Sequence, residues 1–155
     1  MLTLESLKLL NAKGAPLERG TGGTPDITYQ EVADALSGVE HPVSVYARYR
    51  YAQQLHLLTP LRDLIIEILR TRRQRDVVPD IWHPLVQLAI EAQAFDKHLS
   101  RFQKGHAVGL GWWSKRFENV FREAQDILDV WDFELRSAFG DWNRRNGIAL
   151  KTGVV

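Results

Sequence analysis

Apolar positions in this chain recur at steps of three and four, the spacing that lines one face of an α-helix. In "TYQEVADALSG", Val32, Ala35 and Leu36 share a face, Thr28 and Glu31 form an S/T-x-x-E cap, and Gly38 supplies a stop. In "EHPVSVYARYRYAQQLHLL", His41-Pro42 reads as a break, Ser44 as an N-cap, and Val45, Tyr49 and Ala52 fall at helical spacing. Thr59-Pro60 reads as an N-cap with proline in the first turn. It opens a helix from Leu61 to Arg73 whose stripe is Leu61, Leu64, Ile65, Ile68 and Leu69. Pro79 and Pro84 bracket the next start, and Leu85, Leu88, Ala89, Ala92 and Phe95 predict a helix reaching Phe102. "KGHAVGLG" reads as a glycine loop.

The last element is the longest. From Phe121, apolar residues fall at Ala124, Leu128, Trp131, Leu135, Ala138 and Trp142, a coiled-coil-like spacing that suits packing along another helix or a second subunit. Ser114 is its expected N-cap and Asn146-Gly147 its end. No strand or hairpin signal stands out. The expectation is therefore an all-α, compact helical domain of about five helices, with a long C-terminal helix and a candidate helix-turn-helix unit. The expected organisation is an N-terminal segment and Gly/Pro-rich linker over 1–26, one helical domain over 27–147, and a tail over 148–155.

Composition narrows the function classes. The chain has 155 residues, 45% apolar, enough for a sizeable core, and a net charge of +1 gives no global signal for a polyanion. Local clusters carry more. Between Arg48 and Arg75 seven arginines face only Asp63 and Glu67, while Glu118 to Asp141 is acidic. The absence of cysteine removes disulfides, thiolate zinc sites and cysteine nucleophiles. No apolar run approaches the ~20 residues that span a bilayer, and "MLTLESLKLL" lacks a basic leader and a cleavage site. A cytoplasmic protein without membrane contact is expected.

Catalytic chemistry finds no support. None of the five histidines sits at i, i+4 with a carboxylate in the HExxH manner, although His98 and His106 flank the glycine loop. Asp126, Asp129, Asp132 and Glu134 alternate with the apolar seam and read as a solvated face, not as an acid/base pair across a cleft. No enzyme activity, cofactor or metal is expected. Three basic segments remain. In "SVYARYRYAQQ", Arg48 and Arg50 stand beside tyrosines explained as core, and read as supporting phosphate contacts or solvated side chains. "RTRRQR" places Arg70, Arg72, Arg73 and Arg75 at a helix C-terminus; the dipole accounts for one or two of them, leaving the rest for a phosphate or acidic partner, or for solvent. "GWWSKRF" puts Lys115 and Arg116 in the first turn after Ser114, where cations oppose the dipole unless an anion is present. One or both of Trp112 and Trp113 staple this helix start to the core, and the segment reads as the DNA-contacting one.

Scattered motifs give the chain a resemblance to the Q-type late-gene antiterminators of lambdoid bacteriophages. "LESLKL" before a Gly/Pro linker is similar to the family's "LES" opening, and "ITYQEVADALSG" to its next short helix. Two apolar helices follow, and "WSKRFENVFREAQDIL" resembles the "W-S-x-x" helix that closes a helix-turn-helix unit. The zinc module that many members carry has no counterpart: "HLSRFQKGHAVGLG" stands in its place without cysteine. The resemblance implies a protein that binds double-stranded DNA near a late promoter. It also implies loading onto bacterial RNA polymerase and sigma factor, so that elongation ignores pauses and terminators. Trp113, Ser114, Lys115 and Arg116 would carry DNA contact. Arg70, Arg72, Arg73 and Arg75 are candidates for meeting polymerase or nascent RNA, and the long helix for self-association. The alternatives are a small helical DNA-binding regulator and a helical protein–protein adaptor that binds no nucleic acid.

Overall fold

The computed structural model describes residues 1–11, 28–73 and 79–146. Most of the Gly/Pro linker, Arg75 and the 148–155 tail lie outside them. Every regular element among the described residues is helical. A 3-10 helix, Leu4–Asn11, precedes α1 (Tyr29–Leu36) and α2 (His41–Arg50). After a short 3-10 turn come α3 (Leu58–Arg72), α4 (Pro79–Ala94), α5 (Arg101–Ala107) and α6 (Lys115–Arg145). The all-α expectation holds, and α6 matches its sequence-expected span. The chain divides into two compact units, one of residues 1–55 and 131–155, the other of 56–130.

Several boundaries differ from the sequence expectation for identifiable reasons. His41-Pro42 does not break the chain: α2 starts there, because proline at a first-turn position lacks only an amide that has no intrahelical acceptor. Glu40, not Ser44, is the N-cap residue, and α3 starts at Leu58 so that Thr59 lies inside its first turn. α4 begins at Pro79 and runs through Pro84. The largest difference is the expected helix to Phe102, which is two helices. Asp96 adopts φ 54°, the left-handed conformation that ends a helix, and the Lys97 amide donates back to the Ala92 carbonyl at 2.8 Å. Ser100 then opens α5 with a reciprocal capping box, its Oγ accepting from the Gln103 amide while Gln103 Oε1 accepts from the Ser100 amide.

In the first unit, Leu7, Val32, Val43, Tyr46 and Leu135 are fully buried around a core that also includes Trp131, Phe139 and Trp142. The apolar seam of α6 is thus buried by the chain itself, whereas Val130 and Phe133 are exposed. Two polar contacts pin this core. Trp142 Nε1 donates to Asp34 Oδ2 at 2.8 Å. Buried Asn143 bonds both backbone groups of Leu2, accepting from its amide at 2.9 Å and donating to its carbonyl at 2.9 Å.

Asp132, which the sequence pattern assigns to a solvated face, is a half-buried acceptor instead. It receives Tyr46 Oη at 3.1 Å, Tyr51 Oη at 2.5 Å and Arg136 Nε at 3.0 Å, with Arg50 Nη1 at 3.5 Å. Burial pushes its carboxyl up, but the Tyr51 and Arg136 donors and the Arg50 charge outweigh it and hold the carboxyl below the usual range. Burial and the bond to Asp132 together raise the Tyr51 phenol to about 12. Arg50 and Arg136 also border an open cleft of about 360 Å³ with Lys8 and Thr3, their charges already engaged by Asp132.

The Asn143 contact gives a direct test. Asn143→Leu keeps the volume but strands the Leu2 amide and carbonyl, and should lower unfolding stability by about 1–3 kcal/mol in a urea titration. An unchanged midpoint would show that water replaces the bonds without cost.

Candidate nucleic-acid interface

The second unit buries Leu61, Ile65, Leu69, Leu85, Val86 and Ile90 between α3 and α4. Its other end is built from a stretch with unusual charge. Residues 97–117 contain Lys97, Arg101, Lys104, Lys115 and Arg116, with His98 and His106, and no acid at all. Counting histidine as neutral, this stretch carries +5, so the other residues of a +1 chain sum to 1 − 5 = −4.

The local fold is set by glycines and caps. At the end of α5 the Leu110 and Gly111 amides both donate to the Gly105 carbonyl, at 3.0 and 3.1 Å. This reversal needs Gly109 at φ 83° and Gly111 at φ 74°, conformations other residues rarely adopt. The chain then crosses α5 so closely that a Cβ on Gly105 would stand 2.6 Å from the Trp112 carbonyl oxygen. Arg101 Nη2 donates to the Trp113 carbonyl at 2.9 Å. Ser114 caps α6 as the sequence suggests, its Oγ accepting from the Phe117 amide at 3.1 Å.

The two tryptophans part company here. Trp113 is 5% exposed, edge-on to Phe117 and Phe121, and its Nε1 donates to Glu118 Oε1 at 2.8 Å. It staples the helix start and presents no surface for a ligand. Trp112 is 55% exposed and stacks on Phe117 at 5.1 Å.

Glu118 gathers the internal cations. It accepts from Lys104 Nζ at 2.7 Å and from Arg122 Nε at 2.6 Å besides the indole. Lys104 is buried, with its ammonium 4.4 Å from the centre of the Phe121 ring. Burial raises the Glu118 carboxyl, but the bonds from Lys104, Arg122 and Trp113 prevail and take it down to about 2. Lys104 is therefore consumed by the fold. Lys97, Arg101, Lys115 and Arg116 are exposed.

The other arginines expected to bind are mostly matched by carboxylates. Arg50 meets Asp132, and Arg70 meets Glu67 at 3.2 Å. Arg73 Nε bonds Glu123 at 2.6 Å, with Arg72 at 3.9 Å from the same group. Arg48 Nε contacts Ser44 Oγ at 3.4 Å. Arg48 and Arg50 belong to the first unit, whereas Arg70, Arg72 and Arg73 close α3 in the second. Among the described residues no group of three or more His, Asp or Glu is placed to hold a metal ion, and no helix is long and apolar enough to cross a membrane. No family model, curated protein or solved structure matches the chain.

Two signals for this site were present in the sequence without forming a motif: the capping box "SRFQ" and the absence of acids between Asp96 and Glu118. The Glu118 bonds connect residues up to 14 positions apart and follow only from the fold.

A pH dependence follows from Glu118. Its folded carboxyl lies below the ordinary 4.5, so its stabilisation is complete above that pH and is lost as pH falls towards 2. Glu118→Gln should cost roughly 1–3 kcal/mol at neutral pH and flatten the stability loss across that acid window, as read by urea unfolding at several pH values. Equal acid sensitivity in variant and parent would assign the loss to other carboxylates.

Proposed function

We propose that this protein binds nucleic acid through the segment 97–117 and acts in transcription, as the Q-type resemblance implies, by suppressing pausing and termination. The observation that supports binding is the acid-free basic segment held on the surface by Ser114, Gly105 and Glu118, with Lys115 and Arg116 exposed in the first turn of α6. Cations there oppose the helix dipole, a cost that an incoming phosphate would reverse. Glu118 in the same turn offsets part of it while spending its charge on Lys104 and Arg122.

In this reading Lys115, Arg116 and Arg101 hold phosphates. Ser114 and Trp113 position them without touching the ligand, and α5 with α6 takes the place of the helix-turn-helix pair. Arg70 and Arg72, exposed on α3 though each sits beside a carboxylate, are the candidates for a polymerase or RNA contact, and Arg48 a supporting one. The antitermination role rests on the resemblance, and DNA near a late promoter with RNA polymerase and sigma factor are its implied partners.

Binding should weaken steeply with salt, log Kobs falling by about 0.9 per neutralised phosphate against log salt for duplex DNA. The Lys115→Ala, Arg116→Ala double variant should make that slope shallower by about 0.9 per lost contact. An unchanged slope would remove these residues from the interface. For the transcriptional role, the measurement is read-through of an intrinsic terminator in vitro on a late-promoter template. Termination unaltered by the protein would refute antitermination and leave nucleic-acid binding standing alone.

A further inference from the structure

The basic segment also carries aromatic rings that the fold leaves in solvent. Phe102 is 76% exposed on α5, one turn before Gly105, and its ring lies parallel to His106 at 8° and 6.2 Å. Trp112, whose backbone crosses Gly105, is stacked on Phe117 at 24°. The close crossing at Gly105 sets the backbone of Trp112 against α5, the helix that carries Phe102. In the same unit Trp82, Trp113 and Phe121 are buried, while Phe95, just before the basic segment, is exposed like Phe102 and Trp112.

Duplex DNA makes poor use of such rings, because its bases are stacked on one another and present only edges and phosphates. Unpaired bases expose π-faces, and proteins that hold single strands combine a cationic track with aromatic side chains on which bases stack. An adaptor surface for another protein would also expose apolar rings, but it would not need four exposed Lys/Arg residues in a stretch of sequence without acids. Charge complementarity therefore selects a polyanion whose bases are free.

We infer that the 97–117 surface holds a single-stranded nucleic-acid segment, with Phe102 and Trp112 each stacking on an unpaired base while Arg101, Lys115 and Arg116 contact the phosphates. This rests on the nucleic-acid reading above and specifies the ligand's form. Each ring contributes by stacking, which tolerates any base, so sequence preference from these two contacts is weak.

The test uses the whole chain at low salt with three probes: an oligothymidylate of about 15 nucleotides, enough to cover a site of this class, a duplex of the same length, and heparin, which has charge but no bases. Fluorescence anisotropy should show tighter binding to the single strand than to the duplex. Phe102→Ala and Trp112→Ala should each weaken oligothymidylate binding by about tenfold and leave heparin retention unchanged. Lys115→Ala with Arg116→Ala should weaken all three. Both rings are exposed, and unchanged far-UV circular dichroism and thermal unfolding would exclude misfolding as the cause. Heparin and duplex binding without single-strand preference, or ring variants that bind oligothymidylate as the parent does, would overturn this inference and leave the nucleic-acid reading intact. Failure to bind any of the three would overturn both.

Discussion

The α5–α6 corner depends on one carboxylate. Glu118 receives a lysine, an arginine and an indole, and each donor comes from a different part of the local chain: α5, the preceding loop, and the next turn of α6. Without it Lys104 would be a buried ammonium with no counter-charge, and Trp113 a buried N–H with no acceptor, and neither state is stable in an apolar surround. The same group also lies in the first turn of α6, where a negative charge is favoured by the helix dipole. One side chain thus satisfies the core, orders the loop and offsets the field of the exposed cations beside it.

Asp132 does the corresponding work in the other unit with different donors. Two tyrosines and two arginines surround it, and burial is again overcome by the number of hydrogen bonds it accepts. Both carboxylates are ionised and satisfied, so neither is a proton carrier at neutral pH. Their difference is in what remains around them. At Asp132 the nearby arginines are themselves engaged, so the cleft beside them has little charge to offer an anion. At Glu118 the bonded cations are Lys104 and Arg122, and further exposed Lys and Arg residues precede it in a stretch of sequence without acids.

Legibility in the sequence followed the range of the interaction that decided each feature. Apolar spacing identified the stripe of α1, the seam of α6 from Phe121 to Trp142 and most of the α3 stripe, where it missed buried Ile66, because helix period and burial are local properties. Ser114 was readable as a cap for the same reason. The α4–α5 break was not: Asp96 can take a left-handed φ or sit in a helix, and the apolar period runs across it to Phe102. Prolines misled in the opposite sense, since Pro42 and Pro84 lie inside helices whose starts were further upstream. The candidate site was half legible. Lys115 and Arg116 stood out as charges in an unfavourable place, but which tryptophan faces solvent depends on the Trp113–Glu118 bond and on the crossing at Gly105. Asp132 was misread because its tyrosine partners lie more than 80 residues away.

The net charge of +1 conceals how the cations are distributed. The arginine-rich stretch from Arg48 to Arg75 has the denser run, although the sequence reading already favours "GWWSKRF" for DNA contact. Glu67, Glu123 and Asp132 each sit against arginines of that stretch, so the field they project is largely cancelled within a few ångströms. The exposed Arg70–Glu67 pair contributes little stability, yet it still lowers local potential. The 97–117 segment has no acid of its own, and the Glu118 that follows it is committed to Lys104, Trp113 and Arg122. At the start of α6 the rings of Phe102 and Trp112 add apolar contact to the exposed charges of Arg101, Lys115 and Arg116.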